Sequence, residues 1–123
     1  MELERYIRDI PDFPKKGIMF KDITPLLKDA RAFETAIEML AAKYKDAKID
    51  KIASMESRGF ILGAALSMKL RCGFIPIRKK GKLPYETIRE EYALEYGTDL
   101  LEMHKDALEK GENILIVDDV LAT

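Results

Sequence analysis

Three groups of residues are of types and spacings that could do chemistry. Asp118 and Asp119 follow the run Ile114-Leu115-Ile116-Val117. Four aliphatic residues after a Gly-Glu-Asn turn predict a strand buried on both faces, central in a parallel sheet covered by helices. In open α/β sheets ligands bind beyond the carboxyl ends of the strands, which is where the two acids would stand. Adjacent carboxylates repel, so a cationic or hydroxyl-rich partner should face them. The second group, Ser57-Arg58-Gly59, joins a short strand at 51–55 to a helical stretch from Phe60 to Leu70. That is the layout of an anion site at a helix start, with Arg58 for charge and Gly59 for close backbone approach, although many such turns bind nothing. The third, Arg78-Lys79-Lys80-Gly81-Lys82, leaves the end of another strand at 73–78. Such a run is usually a solvated loop. A polyanionic ligand at one sheet edge would account for all three groups together.

The elements that must position them can be read from periodicity. Strand 51–55, helix 60–70 and strand 73–78 form a strand–helix–strand unit, which predicts a parallel pair with a right-handed crossover. Phe33, Ala36, Ile37, Leu40, Ala41 and Tyr44 make one stripe, so residues 30–45 should be a helix, with Asp29 as its N-cap. Leu3, Tyr6, Ile7 and Ile10 recur at helical spacing and predict a short amphipathic helix over 2–9, ended by Pro11. Phe13, Ile18, Met19 and Phe20 lie in and after a loop broken by Pro11, Pro14 and Gly17. They are either a hydrophobic plug under the core or a wall for a flat aromatic ligand, and composition favours the plug. Thr24-Pro25 has the form of an N-cap followed by proline. Residues 85–105 predict a long hairpin, with Leu101 and Met103 inward and Glu102 and His104 outward. Its tyrosines and glutamates give it the character of a lid. His104, the only histidine, is expected to be exposed and not catalytic, and Cys72 to serve packing.

At 123 residues, 47% apolar and 35% charged, the chain is one domain or part of one, with enough apolar surface for a core. A net charge of −1 gives no bulk reason for nucleic acid as a partner. One cysteine excludes an intrachain disulfide and suggests a reducing compartment. The longest near-apolar run, Phe60 to Met68, is too short to span a membrane. The acidic start, Met1-Glu2-Leu3-Glu4, is no signal peptide, so a cytoplasmic protein is expected.

The blocks F-P-K-K-G-I-M-F-K-D-I-T-P-L-L-K-D, E-S-R-G-F-I-L-G, R-K-K-G-K-L-P, Y-A-L-E-Y-G and I-L-I-V-D-D-V-L-A-T stand in this order from Phe13 to Thr123. The last resembles the phosphoribosyl-pyrophosphate (PRPP) motif of type I phosphoribosyltransferases. The first block and Leu94-Glu95-Tyr96-Gly97 resemble the adenine branch of that family. Lys21 stands where the family often has arginine, and the motif's closing Gly-Gly-Thr does not follow Thr123. The resemblance implies an α/β fold, a mostly parallel sheet flanked by helices, incomplete at its C-terminus and carrying a flexible hairpin loop. It divides one domain, 1–123, into a base-binding hood at 1–29 and a core at 30–123 with a lid at 82–101.

The implied activity belongs to purine salvage: the ribosyl 5-phosphate of PRPP moves to adenine, giving AMP and pyrophosphate. The chain as it stands is expected to be poorly active. The resemblance implies that Asp118 and Asp119 contact the ribose hydroxyls and that Glu95 transfers the proton at the base. Ser57, Arg58 and Gly59, with Arg78, Lys79 and Lys82, would hold pyrophosphate. Adenine would lie between Phe20 and Val120, its edge read by the backbone of Met19 and Lys21, with Tyr96 closing over it. Ala122 and Thr123 would open the 5′-phosphate cradle. Mg²⁺ is implied as a cofactor held by substrate and water, with no metal ligand assigned to the protein. A homodimer is implied, with no nucleic acid or membrane partner. A non-catalytic regulator of the same fold, binding PRPP or purine nucleotides as a signal, is the alternative.

Overall fold

A computed structural model of the protein describes residues 1–94 and 97–120. The expected helix over 2–9 is replaced by a single 3-10 turn, Leu3–Tyr6, and a strand, β1 (Arg8–Ile10). Ile7 is already extended, and β1 pairs antiparallel with β2 (Phe20–Asp22). Across the two strands Lys21 Nζ lies 2.5 Å from Asp9, and Arg8 lies 3.7 Å from Asp22. A helix this short cannot offset its nucleation cost, whereas opposite charges facing each other support a strand pair. The next helix, α1 (Thr24–Lys28), begins one residue earlier than the Thr24 cap implied, with Ile23 at the N-cap and Pro25 in the first turn. Asp22 does the capping, its Oδ1 accepting the Thr24 N–H at 2.9 Å and the Thr24 hydroxyl at 2.8 Å.

The stripe at 30–45 forms α2 (Ala30–Tyr44), and Asp29 caps it by accepting the Ala32 N–H at 2.9 Å. Then come β3 (Lys51–Met55), α3 (Arg58–Leu70) and β4 (Gly73–Lys79). β5 (Thr87–Leu94) and β6 (Gly97–His104) make the hairpin, and β7 (Ile114–Ile116) completes the sheet. The strand order is β5-β6-β4-β3-β7. It is parallel across β4–β3–β7 and antiparallel where the hairpin joins β4. Ile52 and Leu66 are fully buried, and with Ile37, Ala41 and Val117 they form the core between the sheet and α2–α3.

β7 stands at the edge of the described sheet, and one of its faces is exposed where burial on both was expected. Alternation points Leu115 and Val117 into the helical core, whereas Ile116 is 62% exposed. On that second face Met55, Ile77, Leu101, Met103 and Ile116 line an apolar groove of about 350 Å³ whose lining includes no helical residue. The polar face of β6 is also not solvated. Glu102 is buried, and His104 is half-buried, with Nε2 enclosed and without a hydrogen-bond partner. Cys72 packs against the core, and burial, assisted by Asp50, pushes its thiol up, away from thiolate chemistry. Among the described residues no helix is long and apolar enough to cross a membrane.

This packing predicts that Ile52→Ala or Leu66→Ala costs about 2–5 kcal/mol of unfolding free energy in the complete protein. Met68→Ala on the exposed face of α3 should stay within about 0.5 kcal/mol, and urea denaturation of the three variants measures both.

Candidate active site

A cleft of about 600 Å³ opens where β3 and β7 end and α3 begins. Its floor is the β3–α3 junction. The Glu56–Ser57 peptide there is cis. Ser57 makes no capping hydrogen bond through its side chain, so the first amides of α3 are available to an anion. One wall is Met19, Phe20 and Lys21, and the other is Asp118, Asp119 and Val120.

Arg58 links these walls. Its Nε lies 2.9 Å from Asp119 Oδ2, and its guanidinium carbon lies 4.8 Å from the centre of the Phe20 ring. The ion pair is close but not aligned as a hydrogen bond, so the enclosed Oδ2 accepts none. Burial pushes the Asp119 carboxyl above the ordinary range, neighbouring Asp118 adds to this, and the Arg58 charge opposes it. Asp118 Oδ1 accepts the Asp119 N–H at 2.8 Å, which orients the two acids relative to each other. Gly59 lies against this pair. A Cβ on it would stand 2.9 Å from Asp118 Oδ1 and 3.5 Å from the Val117 carbonyl. The glycine therefore lets α3 pack against the acid strand, a constraint separate from the approach to an anion that the sequence suggested.

The loop before β2 is not a plug under the core. Phe13 is 50% exposed and Met19 53%, and Phe13 stands edge-on to Phe20 with ring centres 5.1 Å apart. Two prolines and a glycine carry this segment over the surface, so its apolar side chains wall the cleft instead.

The basic segment meets the cleft through an acid. Glu56 accepts the Lys79 N–H at 2.9 Å and the Arg78 Nε–H at 3.2 Å, and it lies 3.8 Å from Lys82 Nζ. The Lys79 amide foremost, then the Arg78 and Lys82 charges, hold its carboxyl below the ordinary range. Arg78 and Lys82 therefore gather at the rim of the cleft, while Lys79 contributes its backbone there. The sequence reading missed this role of Glu56, as it missed Phe13 behind Phe20 and Asp9 beside Lys21. The available signal was an acid at a strand end with four cations to follow.

Met19, Phe20, Lys21, Ser57, Arg58, Asp118, Asp119 and Val120 thus line one cleft, with Gly59 packed behind Asp118. Glu95, Tyr96, Ala122 and Thr123 lie outside the described residues.

Parallel strands ending in paired acids, beside a helix start and an aromatic wall, make a cleft suited to an anionic ligand. Residues 26–123 match the phosphoribosyl transferase domain. The chain is 63% identical to adenine phosphoribosyltransferase of Brachyspira hyodysenteriae, matching over all of this chain and 72% of that protein. It is 60% identical to the adenine phosphoribosyltransferase of Thermotoga neapolitana, with the same coverage. The crystal structure of the Thermoanaerobacter pseudethanolicus enzyme superposes with a TM-score of 0.95 at 61% identity, over 99% of this chain and 71% of that one. The Saccharomyces cerevisiae enzyme, solved with adenine and an imino-altritol bisphosphate, gives 0.95 at 41% identity, over 98% of this chain and 71% of that one. The chain belongs to the adenine phosphoribosyltransferase family.

Gly59→Ala must push Asp118 or α3 aside. In the complete enzyme it should lower kcat/KM for the ribosyl donor about 10²-fold, the scale of a misplaced catalytic group, while thermal unfolding moves little. Wild-type kinetics in that variant would show that the close packing has no bearing on the acids.

Proposed function

We propose that the protein transfers the ribosyl 5-phosphate of PRPP to adenine, releasing pyrophosphate and forming AMP. One observation carries the reading: an aromatic wall, an open helix start and a pair of acids share a single cleft of about 600 Å³. A volume of that order suits a purine beside a sugar phosphate. The names of its close relatives point to the same substrate, and the yeast relative was solved holding adenine.

In this reading each wall has a task. Departure of pyrophosphate leaves oxocarbenium character at the anomeric carbon, which needs nearby negative charge and a stabilised leaving group. Asp118 and Asp119 accept hydrogen bonds from the ribose hydroxyls and favour the cation. Arg58 and the Ser57–Gly59 amides receive pyrophosphate, with Arg78, Lys79 and Lys82 added from the rim and Arg78 reaching a partner subunit's site. Adenine stacks between Phe20 and Val120, and the backbone of Met19 and Lys21 reads its edge. Because backbone groups do the reading, lysine in place of arginine at 21 is tolerated. Glu95 handles the proton at the base, and Tyr96 closes over it. Residues 1–29 serve as a hood, and the 82–101 hairpin is a lid that excludes water from the ribosyl cation. Ala122 and Thr123 begin the 5′-phosphate cradle.

Mg²⁺ fits the donors available. The acids at the cleft offer oxygen only, Asp119 Oδ2 is enclosed without a hydrogen bond, and no cluster of three or more His, Cys, Asp or Glu stands among the described residues. That suits an ion held mainly by substrate oxygens and water, with Asp118 and Asp119 left to the ribose hydroxyls. When bound it would supply Lewis-acid neutralisation of the pyrophosphate charge. A cytoplasmic homodimer completes the reading, supported by the single cysteine and by the family resemblance.

The complete protein should form AMP from adenine, PRPP and Mg²⁺, and Glu95→Gln should lower kcat about 10²–10⁴-fold with little change in KM for adenine. Absence of AMP would sink the assignment. Unchanged turnover in the variant would move the proton-handling role to Tyr96.

A further inference from the structure

Glu102 is 4% exposed, so nearly the whole residue is withdrawn from water. Its Oε1 accepts the Gly81 N–H at 2.8 Å. Its Oε2 accepts the Thr87 hydroxyl at 3.0 Å and stands 3.4 Å from Arg89 Nη2. In register it lies opposite Arg78 on one side and Arg89 on the other, so an Arg–Glu–Arg row crosses β4, β6 and β5 on one face. A buried carboxylate is costly unless fully satisfied. Here the satisfying contacts converge on a turn, since Gly81 has φ +82° and lies between Lys79–Lys80 and Lys82. From the other side Glu56 takes the Lys79 amide and approaches Lys82. Alternate amides of one basic turn are thus tied to two carboxylates from different parts of the sheet.

We propose that Glu102 is a positioning residue for the leaving-group half of the reaction, fixing the Lys79–Lys82 turn so that Arg78 and Lys82 meet pyrophosphate. This rests on the reading of that turn as a pyrophosphate contact. Glu102 itself touches no substrate. It also ties the turn to both strands of the hairpin, through Thr87 and Arg89 on β5 and its own place on β6, so the base-side hairpin and the anion-side turn share one joint.

Charge and position predict opposite signs here. Removing a buried negative charge beside several cations would, by field alone, tighten binding of a polyanion. Loosening the turn weakens it. Glu102→Asp keeps the charge and withdraws the reach to Gly81, so any effect it has is positional. In the complete enzyme Glu102→Asp and Glu102→Gln should each raise KM for PRPP about tenfold, with KM for adenine within about twofold of wild type. A general loss of structure would not split the two constants in this way. Thr87→Val, which removes one hydrogen bond to the same carboxylate and no charge, should raise KM for PRPP about two- to threefold and gives a second test if the Glu102 variants do not fold. Lys82→Ala serves as the control on the underlying reading. If it leaves KM for PRPP unchanged, the turn does not bind pyrophosphate and the Glu102 assignment falls with it. If Lys82→Ala raises KM while Glu102→Asp, Glu102→Gln and Thr87→Val leave it at the wild-type value, the Glu102 assignment alone is overturned.

Discussion

Two carboxylates on consecutive residues, one of them with its side chain only 7% exposed, cannot stand at a strand end without a cation, and Arg58 is that cation. The same guanidinium covers the face of Phe20. Three chain segments far apart in sequence therefore meet at one side chain, and the cleft is the space between them. Arg58 is itself 37% exposed, so the pair is worth less than the roughly 3–5 kcal/mol at stake when a fully buried pair is broken. A modest pair suits this place, because a ligand that brings its own hydroxyls and phosphates can take over each partner. Gly59 helps set the spacing, since a Cβ there would stand 2.9 Å from Asp118 Oδ1.

The basic segment obeys the same constraint from the other side. Arg78, Lys79, Lys80 and Lys82 repel one another, and a flexible run of cations would have to be ordered by its ligand at an entropic cost. Glu56 and Glu102 remove part of that repulsion and hold the turn in one geometry. A site that must neutralise charge as it develops gains from donors already in position. In the proposed reading, acids beside the anion site serve to keep its cations aimed.

Much of this was legible in the sequence, for local reasons. α2 with its Asp29 cap, β3, α3 and β4 follow from period and punctuation, and the strand-end rule located the acids and the helix start at one edge. What was not legible depends on partners distant in sequence. Nothing local in Leu3 to Ile10 reveals that Phe20–Asp22 will offer a strand with complementary charges. The apolar residues near Phe13 read as core by composition, and only the path of the chain puts them at the cleft. Glu102 alternates with apolar neighbours just as a solvated residue would. Its burial comes from Gly81 and Thr87, 21 and 15 residues away. Ile114 to Val117 read as uniformly buried, yet alternation gives the two faces of that strand different surroundings.

The most direct test of the account is a crystal structure of the complete protein with AMP. The purine should lie against Phe20 with its edge toward the backbone of Met19 and Lys21, and the ribose hydroxyls should bond to Asp118 and Asp119, with Arg58 drawn off the ring or the acid. AMP seated elsewhere, with the Arg58–Asp119 pair undisturbed, would contradict the assignment of this cleft.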